Sequence, residues 1–418
     1  MEVRPGYKLT EVGVVPENWE CQKLEAYFSL ISYGFTNPMP AVEHGVYMVT
    51  AADINEGRIQ LETARRTSEA AYRTLLTAKS KPKKNDILLT KDGSLGRLAL
   101  VGDETICINQ SVAVIRPNEK VEPNFLKLLL ESPRYQRRML EDAGGSTIKH
   151  IYITIVNLMI VGLPANRDEQ RAIAAALSDV DALLDGLDRL IAKKRDLKQA
   201  TMQQLLTGKT RLPGFVGEWA VKMLGDIGST YGGLTGKTKT DFGEGSAHYV
   251  TFMNVMTNVV IDCTTFERVQ VSPTEPQNRV MKGDLLFNGS SETPEEVAMC
   301  ALLTLDVPNL FLNSFCFGFR FNSWAEADGL FLAYYLRNKE GRELMKSLAQ
   351  GSTRYNLSKV ALLKSVIRLP NLPEQTAIAA VLSDMDAELT ALVGRRDKTR
   401  ALKQGMMQEL LTGRIRLV

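Results

Sequence analysis

One stretch of 44 residues occurs twice in this chain of 418. Residues 169–212, opening EQRAIAAALSDVDALL and closing LKQATMQQLLTGKTRL, return at 374–417 as EQTAIAAVLSDMDAEL and LKQGMMQELLTGRIRL. Laid over each other without a gap, 26 of the 44 positions are identical, far beyond what shared helical composition produces. The chain is therefore built as two halves. Fainter matches extend the repeat: Trp19 corresponds to Trp219, Asp86 to Asp284, and Gly145, Ser146 and Thr147 to Gly351, Ser352 and Thr353. Each half is a diverged segment of roughly 150–165 residues, the size of one ordinary domain, followed by a nearly identical helix.

The helix is long. In the first copy Ile173, Leu177, Val180, Leu184, Leu187 and Ile191 recur at alternating steps of four and three, as a coiled-coil seam requires. In the second copy Ile378, Leu382, Met385, Leu389 and Leu392 do the same. Neither run meets a proline before the Thr-Gly at 207–208 or 412–413, so each predicts roughly 38 helical residues, about 57 Å of strut.

Charge along each strut is polarised. Asp168, Glu169, Asp179, Asp181, Asp185 and Asp188 lie at the front of the first, and Lys193, Lys194, Arg195 and Lys198 at the back. The second runs from Glu374, Asp384, Asp386 and Glu388 to Arg395, Arg396, Lys398, Arg400 and Lys403. This order complements each helix dipole and favours antiparallel pairing, which sets acidic beside basic. Connectivity agrees. The segment from 213 to 370 must join the end of one strut to the start of the other, and a compact domain of that length, with a radius of gyration near 15 Å, does not bridge the ~57 Å offset of a parallel pair. The expected object is a dumbbell with pseudo-twofold symmetry, in which the carboxyl terminus returns to the first domain.

Composition narrows the class. A chain with 44% hydrophobic and 24% charged residues has the makings of two folded cores. No apolar run approaches the length of a membrane span and the amino-terminal MEVRPGYKLTEVG lacks an export pattern, so a cytoplasmic location and no membrane partner are expected. The five cysteines, Cys21, Cys107, Cys263, Cys300 and Cys316, are scattered and never form a CxxC pair. They read as reduced thiols, and with only His44, His150 and His248 beside them they argue against a metal site. A net charge of +3 is too small to announce a nucleic-acid partner, although a basic face can hide within it.

The diverged segments read as α+β domains. β-rich runs are expected at 47–54, 87–90 and 112–116 in one and at 249–255, 285–287 and 315–321 in the other, with a helix late in each at 123–143 and 327–349. Apolar strands at 151–163 and 360–369 then lead to the struts. Polar loops recur at matching places, and each by itself could be a solvated turn. Their recurrence points to a shared binding face, because Lys and Arg suit phosphates or guanine and Asn suits adenine. The candidate residues are Lys91, Ser94 and Arg97 in KDGSLGR, and Ser146, Thr147 and Lys149 in GGSTIKH. In the second half they are Tyr231, Thr235 and Lys237 in YGGLTGKTKT, Asn288 in NGSSE, and Ser352, Arg354, Tyr355 and Asn356 in GSTRYNLS.

Motifs for chemistry are missing. The segment Gly232–Thr238 imitates a phosphate-binding loop, but the GxxxxGK[ST] spacing would need glycine where Tyr231 stands. There is no Pro-Pro or Pro-Asp dipeptide, which excludes an NPPY-type adenine methyltransferase motif and weakens a PD-(D/E)xK nuclease centre. HExxH, GxSxG and a DxD-type calcium loop are absent as well. No catalytic residue and no cofactor bound by this chain are expected.

Several signatures together resemble the specificity subunits of type I restriction-modification systems. They are Leu163, Pro164, Glu169 and Gln170 at the head of the first strut, Leu369, Pro370, Glu374 and Gln375 at the head of the second, the LKQ…LLTG…RL exits, and the VPENWE and GDLL motifs. The resemblance covers essentially the whole chain. It implies two target-recognition domains, at 1–165 and 213–370, each reading half of a split DNA sequence. It also implies that the family's conserved helices, at 166–212 and 371–418, pair as an antiparallel coiled coil that acts as ruler and docking surface. The implied partners are double-stranded DNA, methylation subunits and restriction subunits, which would use S-adenosylmethionine, ATP and Mg2+. A specificity subunit of a related methylation-based defence system, or a helical scaffold for other ligands, are the alternatives. One departure stands out: Asn288–Glu292 carries an acidic tail of Glu292, Glu295 and Glu296 where the first half has Lys91 and Arg97.

Overall fold

The computed structural model describes residues 3–141, 143 and 149–417. The chain divides into two compact units, Met1–Asp188 with Arg395–Val418, and Arg189–Gly394. Each unit holds one mixed domain and one half of each strut.

The two domains share a topology. In the first unit a four-stranded antiparallel sheet runs in the order Leu98–Leu100, Ile87–Thr90, Val112–Pro117, Phe28–Tyr33. In the second unit the equivalent order is Cys300–Leu302, Leu285–Asn288, Cys316–Phe321, Gly228–Gly232. A smaller sheet sets Val46–Val49 parallel to Ile106–Ile108 and antiparallel to Arg65–Thr67, and Phe242–Val250 takes the same place between Leu310–Leu312 and Glu267–Val269. The central strands carry runs such as Ile87, Leu88 and Leu89 that are buried on both faces, as continuous apolar stretches require. The matched aspartates have one role. Asp86 caps its turn through the Lys83 N–H (2.8 Å) and holds Arg116 bidentately at 2.8 and 2.6 Å. Asp284 does so with the Met281 N–H (2.7 Å) and Arg320 at 2.9 and 2.7 Å.

Local structure departs from the expected elements where a capping residue interrupts them. The helix expected at 123–143 is two helices, Pro123–Glu131 and Pro133–Glu141, because Pro133 has no N–H to continue the first. Its counterpart breaks between Gly329–Arg337 and Lys339–Ser347 at Asn338, whose side chain caps Gly341 N–H at 2.8 Å. The strand expected at 249–255 turns into the helix Phe252–Thr257 at Thr251, which caps Asn254 N–H. Strands 151–163 and 360–369 each begin as short helices, Ile153–Leu158 and Lys359–Leu363, before extending as Ile160–Pro164 and Val366–Leu369.

The struts are Arg167–Leu205 and Leu372–Leu410, 39 residues each. Within each unit they run antiparallel. In the first unit Asp188 faces Arg396 (3.5 Å), Asp181 faces Lys403 (2.6 Å) and Glu169 holds Arg416, so one number falls as the other rises. In the second unit Glu388 faces Lys194 (2.6 Å), Asp386 faces Lys198 (2.5 Å) and Glu374 holds Arg211. Ile173, Leu177, Leu187 and Ile191 are buried along the seam, as are Ile378 and Leu382.

The repeated motifs at the strut ends acquire a physical reason. Gln170 donates to the Pro164 carbonyl (2.8 Å) and accepts from the Glu122 N–H (2.7 Å), pinning strand, helix and strut together. Gln375 repeats this with Pro370 and Asp328, both at 2.8 Å. At the exits Gly208 and Gly413 both adopt φ +70, the left-handed stop that glycine supplies without strain. Each lies over the matched tryptophan: an added Cβ would meet Trp219 at 3.2 Å and Trp19 at 3.1 Å. Replacing Gln170 with alanine strands a buried carbonyl and N–H, and should lower the stability of the first unit by roughly 2–3 kcal/mol, read as an earlier urea transition of that unit.

Candidate nucleic-acid interface

The expected loops do not present their side chains equally. In the first unit Lys91 Nζ is held by Asp92 at 2.8 Å, and His150 Nδ1 takes the other Asp92 oxygen at 2.5 Å. The lysine and histidine hold the Asp92 carboxyl below its ordinary range, although its partial burial works the other way. Arg97 is exposed and donates to the Ile54 carbonyl at 3.1 Å, while the Ser94 carbonyl accepts the Thr90 hydroxyl. Lys149 is exposed, and Ser146 and Thr147 lie outside the described residues.

In the second unit several candidates turn inward. The Tyr231 hydroxyl donates to Asp284 at 2.6 Å beneath Arg320; burial first, then the aspartate's charge, drives its pKa upward. Lys237 is almost buried in an ion pair with Glu275 at 2.5 Å. Thr235 is clipped through both backbone groups by the Gln277 amide, at 3.1 and 2.8 Å. Asn288 is fully buried, donating to the Glu296 carbonyl at 2.9 Å. The side chains of Tyr231, Lys237 and Asn288 organise loops, whereas Thr235 is held by its backbone and stays exposed.

The segment 351–358 is different. Tyr355–Leu357 pairs with Ser290–Ser291 and Ala349–Gln350, and the Gly289 N–H donates to Phe315 at 2.8 Å. That pairing gathers Ser352, Arg354 and Asn356, all exposed, beside an exposed Phe315 whose ring lies 5.1 Å from the Arg354 guanidinium. Lys359 stands 5.5 Å from the Phe317 ring. A cation beside an exposed aromatic ring is suited to phosphate and base together.

Sequence reasoning missed further such pairs, in the first unit. Lys79 lies 5.5 Å from the Tyr33 ring, Lys81 4.8 Å from Tyr72, and Arg66 4.4 Å from Tyr47, to whose hydroxyl it also donates at 2.8 Å. Tyr72 and Phe35 pack on a small satellite core of Val46, Met48, Leu76 and Cys107, whereas Tyr47 packs on the other face of that small sheet, against the core of Val49 and Ile54. The signal available in sequence was the basic run KSKPKK at 79–84 with Arg65 and Arg66 upstream. The three tyrosines are scattered in sequence and only the fold sets the cations beside them.

Among the described residues no cluster of His, Cys, Asp and Glu could hold a metal ion. All five cysteines are free, and burial pushes the thiols of Cys107, Cys300 and Cys316 up to about 12, which makes them inert packing residues. Among the described residues no helix is long and apolar enough to cross a membrane.

The sequence model of the type I restriction modification DNA specificity domain matches residues 42–193 and 217–399, once in each half. The chain belongs to that family. It is 26% identical to the specificity subunit of the EcoBI type I restriction enzyme of Escherichia coli over 47% of this chain and 43% of that one. With the specificity subunit of the MjaVIII type I restriction enzyme of Methanocaldococcus jannaschii it shares 24% identity over 80% of each. The crystal structure of the S subunit of a type I restriction-modification system from M. genitalium has the same fold, with a TM-score of 0.58 over 97% of this chain and 98% of that one at 19% identity.

Proposed function

We propose that this chain reads a bipartite, asymmetric site on double-stranded DNA, one half-site per unit, with domains at 1–165 and 213–370 and the struts at 166–212 and 371–418. The observation that carries this reading is a single topology built twice with different exposed side chains. One copy carries the Lys79, Lys81 and Arg66 pairs with tyrosine, and the other the Arg354 pair with Phe315. Two readers on one scaffold recognise two different short sequences, whereas two identical readers would recognise a repeat or a palindrome.

The chain supplies recognition and no chemistry. Methylation subunits would bring S-adenosylmethionine, and restriction subunits ATP and Mg2+, in a cytoplasmic complex. The first strut offers a place for a partner helix, since Leu183, Leu190 and Leu197 are exposed at a spacing of seven, the repeat of a further coiled-coil seam. The test is selection of fragments from random DNA by the complex with its methylation subunit, followed by exchange of residues 1–160 for those of a relative. One half-site should change and the other stay. A simultaneous change in both would remove the one-unit, one-half-site reading.

The salt dependence of binding tests these cations separately. Each phosphate that the protein ceases to neutralise takes about 0.9 off the slope of log K against log salt. Changing Arg66, Lys79 and Lys81 together to alanine should therefore flatten the slope by about three, with the preferred sequence retained if they touch phosphates alone. Titration of labelled DNA across a salt series reads this directly.

A further inference from the structure

The two units differ at one sheet face. In the first unit Trp19–Lys23 pairs with Ile160–Pro164, and the amino-terminal hairpin, Tyr7–Thr10 with Gly13–Pro16, lies over that pair. Val12 and Val15 are buried there, a Cβ added to Gly162 would meet Val12 Cγ2 at 2.9 Å, and Cys21 Sγ reaches the Thr10 hydroxyl at 3.6 Å. Trp19 is consequently 1% exposed. The hairpin is anchored on its outer side as well: the Tyr7 hydroxyl donates to the Gly413 carbonyl at 2.9 Å and Arg4 to that of Arg414 at 3.0 Å.

In the second unit the equivalent pair is Ala220–Met223 with Val366–Leu369. Register places Val221 opposite Arg368 and Met223 opposite Val366, four side chains on one face. Among the described residues nothing covers them: Val221 is 63% exposed, Val366 51% and Met223 44%, and Trp219 beside them is no longer fully buried. The face that the first unit shields with its own hairpin is more apolar in the second unit and bare. Apolar side chains gathered on one exposed face mark a surface that meets a partner.

The occupant must come from another chain. The residues between the strut exit at Gly208 and Trp219 run as turns and irregular backbone with no strand, so they form no hairpin like the one spanning residues 7–16. A second copy's hairpin is also disfavoured, because Val12 seats against Gly162 with no room for a Cβ, and in the second unit Arg368 stands at that position. Arg368 is exposed and takes part in no ion pair among the described residues. A guanidinium at the rim of an apolar face selects a carboxylate.

We propose that the face formed by Val221, Met223, Val366 and Arg368 is a docking site for an apolar turn of the methylation subunit, with an acidic residue of that turn on Arg368. This rests on the reading above only in the identity of the partner. The valines hold the turn as Val12 and Val15 are held in the first unit, and the charge pair sets its orientation.

The experiment uses the full chain and the methylation subunit of the same system, with assembly followed by sedimentation velocity. V221D/V366D and, separately, R368E should each weaken assembly at least tenfold while leaving the melting transition and the salt slope of DNA binding unchanged. If the double aspartate variant melts early, V221T/V366T keeps strand preference and should still weaken assembly severalfold. A V221C variant should react with maleimide freely in the lone chain and slowly in the complex. Assembly indifferent to all these changes, or equal labelling in both states, overturns the docking site and leaves the DNA reading standing. Self-association of the chain that V221D/V366D abolishes assigns the face to a second copy and overturns it too. A wild-type chain that does not assemble with the methylation subunit removes both.

Discussion

Replacing Arg211 with methionine destabilises the second unit by about 3 kcal/mol, the lower end of the range for breaking a buried ion pair. Glu374 is fully buried at the head of the second strut, and Arg211, just past the exit of the first, reaches its carboxylate with two nitrogens, one at 2.5 Å. Removing the cation leaves a carboxylate desolvated without compensation. The value falls low in the range because Arg211 keeps about a quarter of its side chain in solvent. Arg416→Met should act alike on the first unit, where Arg416 grips the buried Glu169 and also donates to Asn18 at 3.0 Å. The middle of the coil supplies the comparison. Lys198→Met breaks a pair with Asp386, whose carboxylate is 37% exposed and keeps the Tyr334 hydroxyl as a donor, so only about 1 kcal/mol is expected. Urea unfolding of the full chain, followed by probes in each unit, would show two transitions, each moved by only one of the arginine variants. A shift no larger than that of Lys198→Met would mean that the end pairs do not lock the struts.

Lengthening both struts by one heptad should change which DNA the complex selects. The places are near Ile191 in the first strut and Val393 in the second, between the pairs Asp188–Arg396 and Lys194–Glu388, so that no ion pair is split. Seven residues add about 10 Å and turn the seam by only ~20°. At about 3.4 Å per base pair, the unspecified spacer between half-sites should grow by about three pairs while both half-sites stay the same. Three pairs also carry one half-site about 100° around the duplex, so weaker binding should accompany the new spacing. Four residues in one strut alone would instead misalign the seam and mostly destabilise. Sequencing of selected fragments decides the matter: an unchanged spacer would mean that the struts do not measure distance.

Much of the architecture is legible in the residues because it depends on periodicity. The steps of four and three from Ile173 to Ile191 dictate a seam, Gly208 and Gly413 dictate a stop, and the polarised charge dictates which way the struts pair. These are properties of neighbours within a turn or two of helix, and they hold wherever that helix is placed. Tertiary structure decided the partners. No local rule says that Glu169 meets Arg416 across 247 residues, or that Gln170 joins Pro164 to Glu122. Composition could not separate Lys237, folded into an ion pair, from Arg354, left beside an exposed ring; both are basic residues in polar glycine loops. The pairs of Tyr33 with Lys79 and of Tyr47 with Arg66 join residues from separate segments that become neighbours only on folding. The bare face at Val221 exists only by comparison with its covered twin. A side chain's availability depends on what packs over it, and that is settled by contacts between residues far apart in the chain.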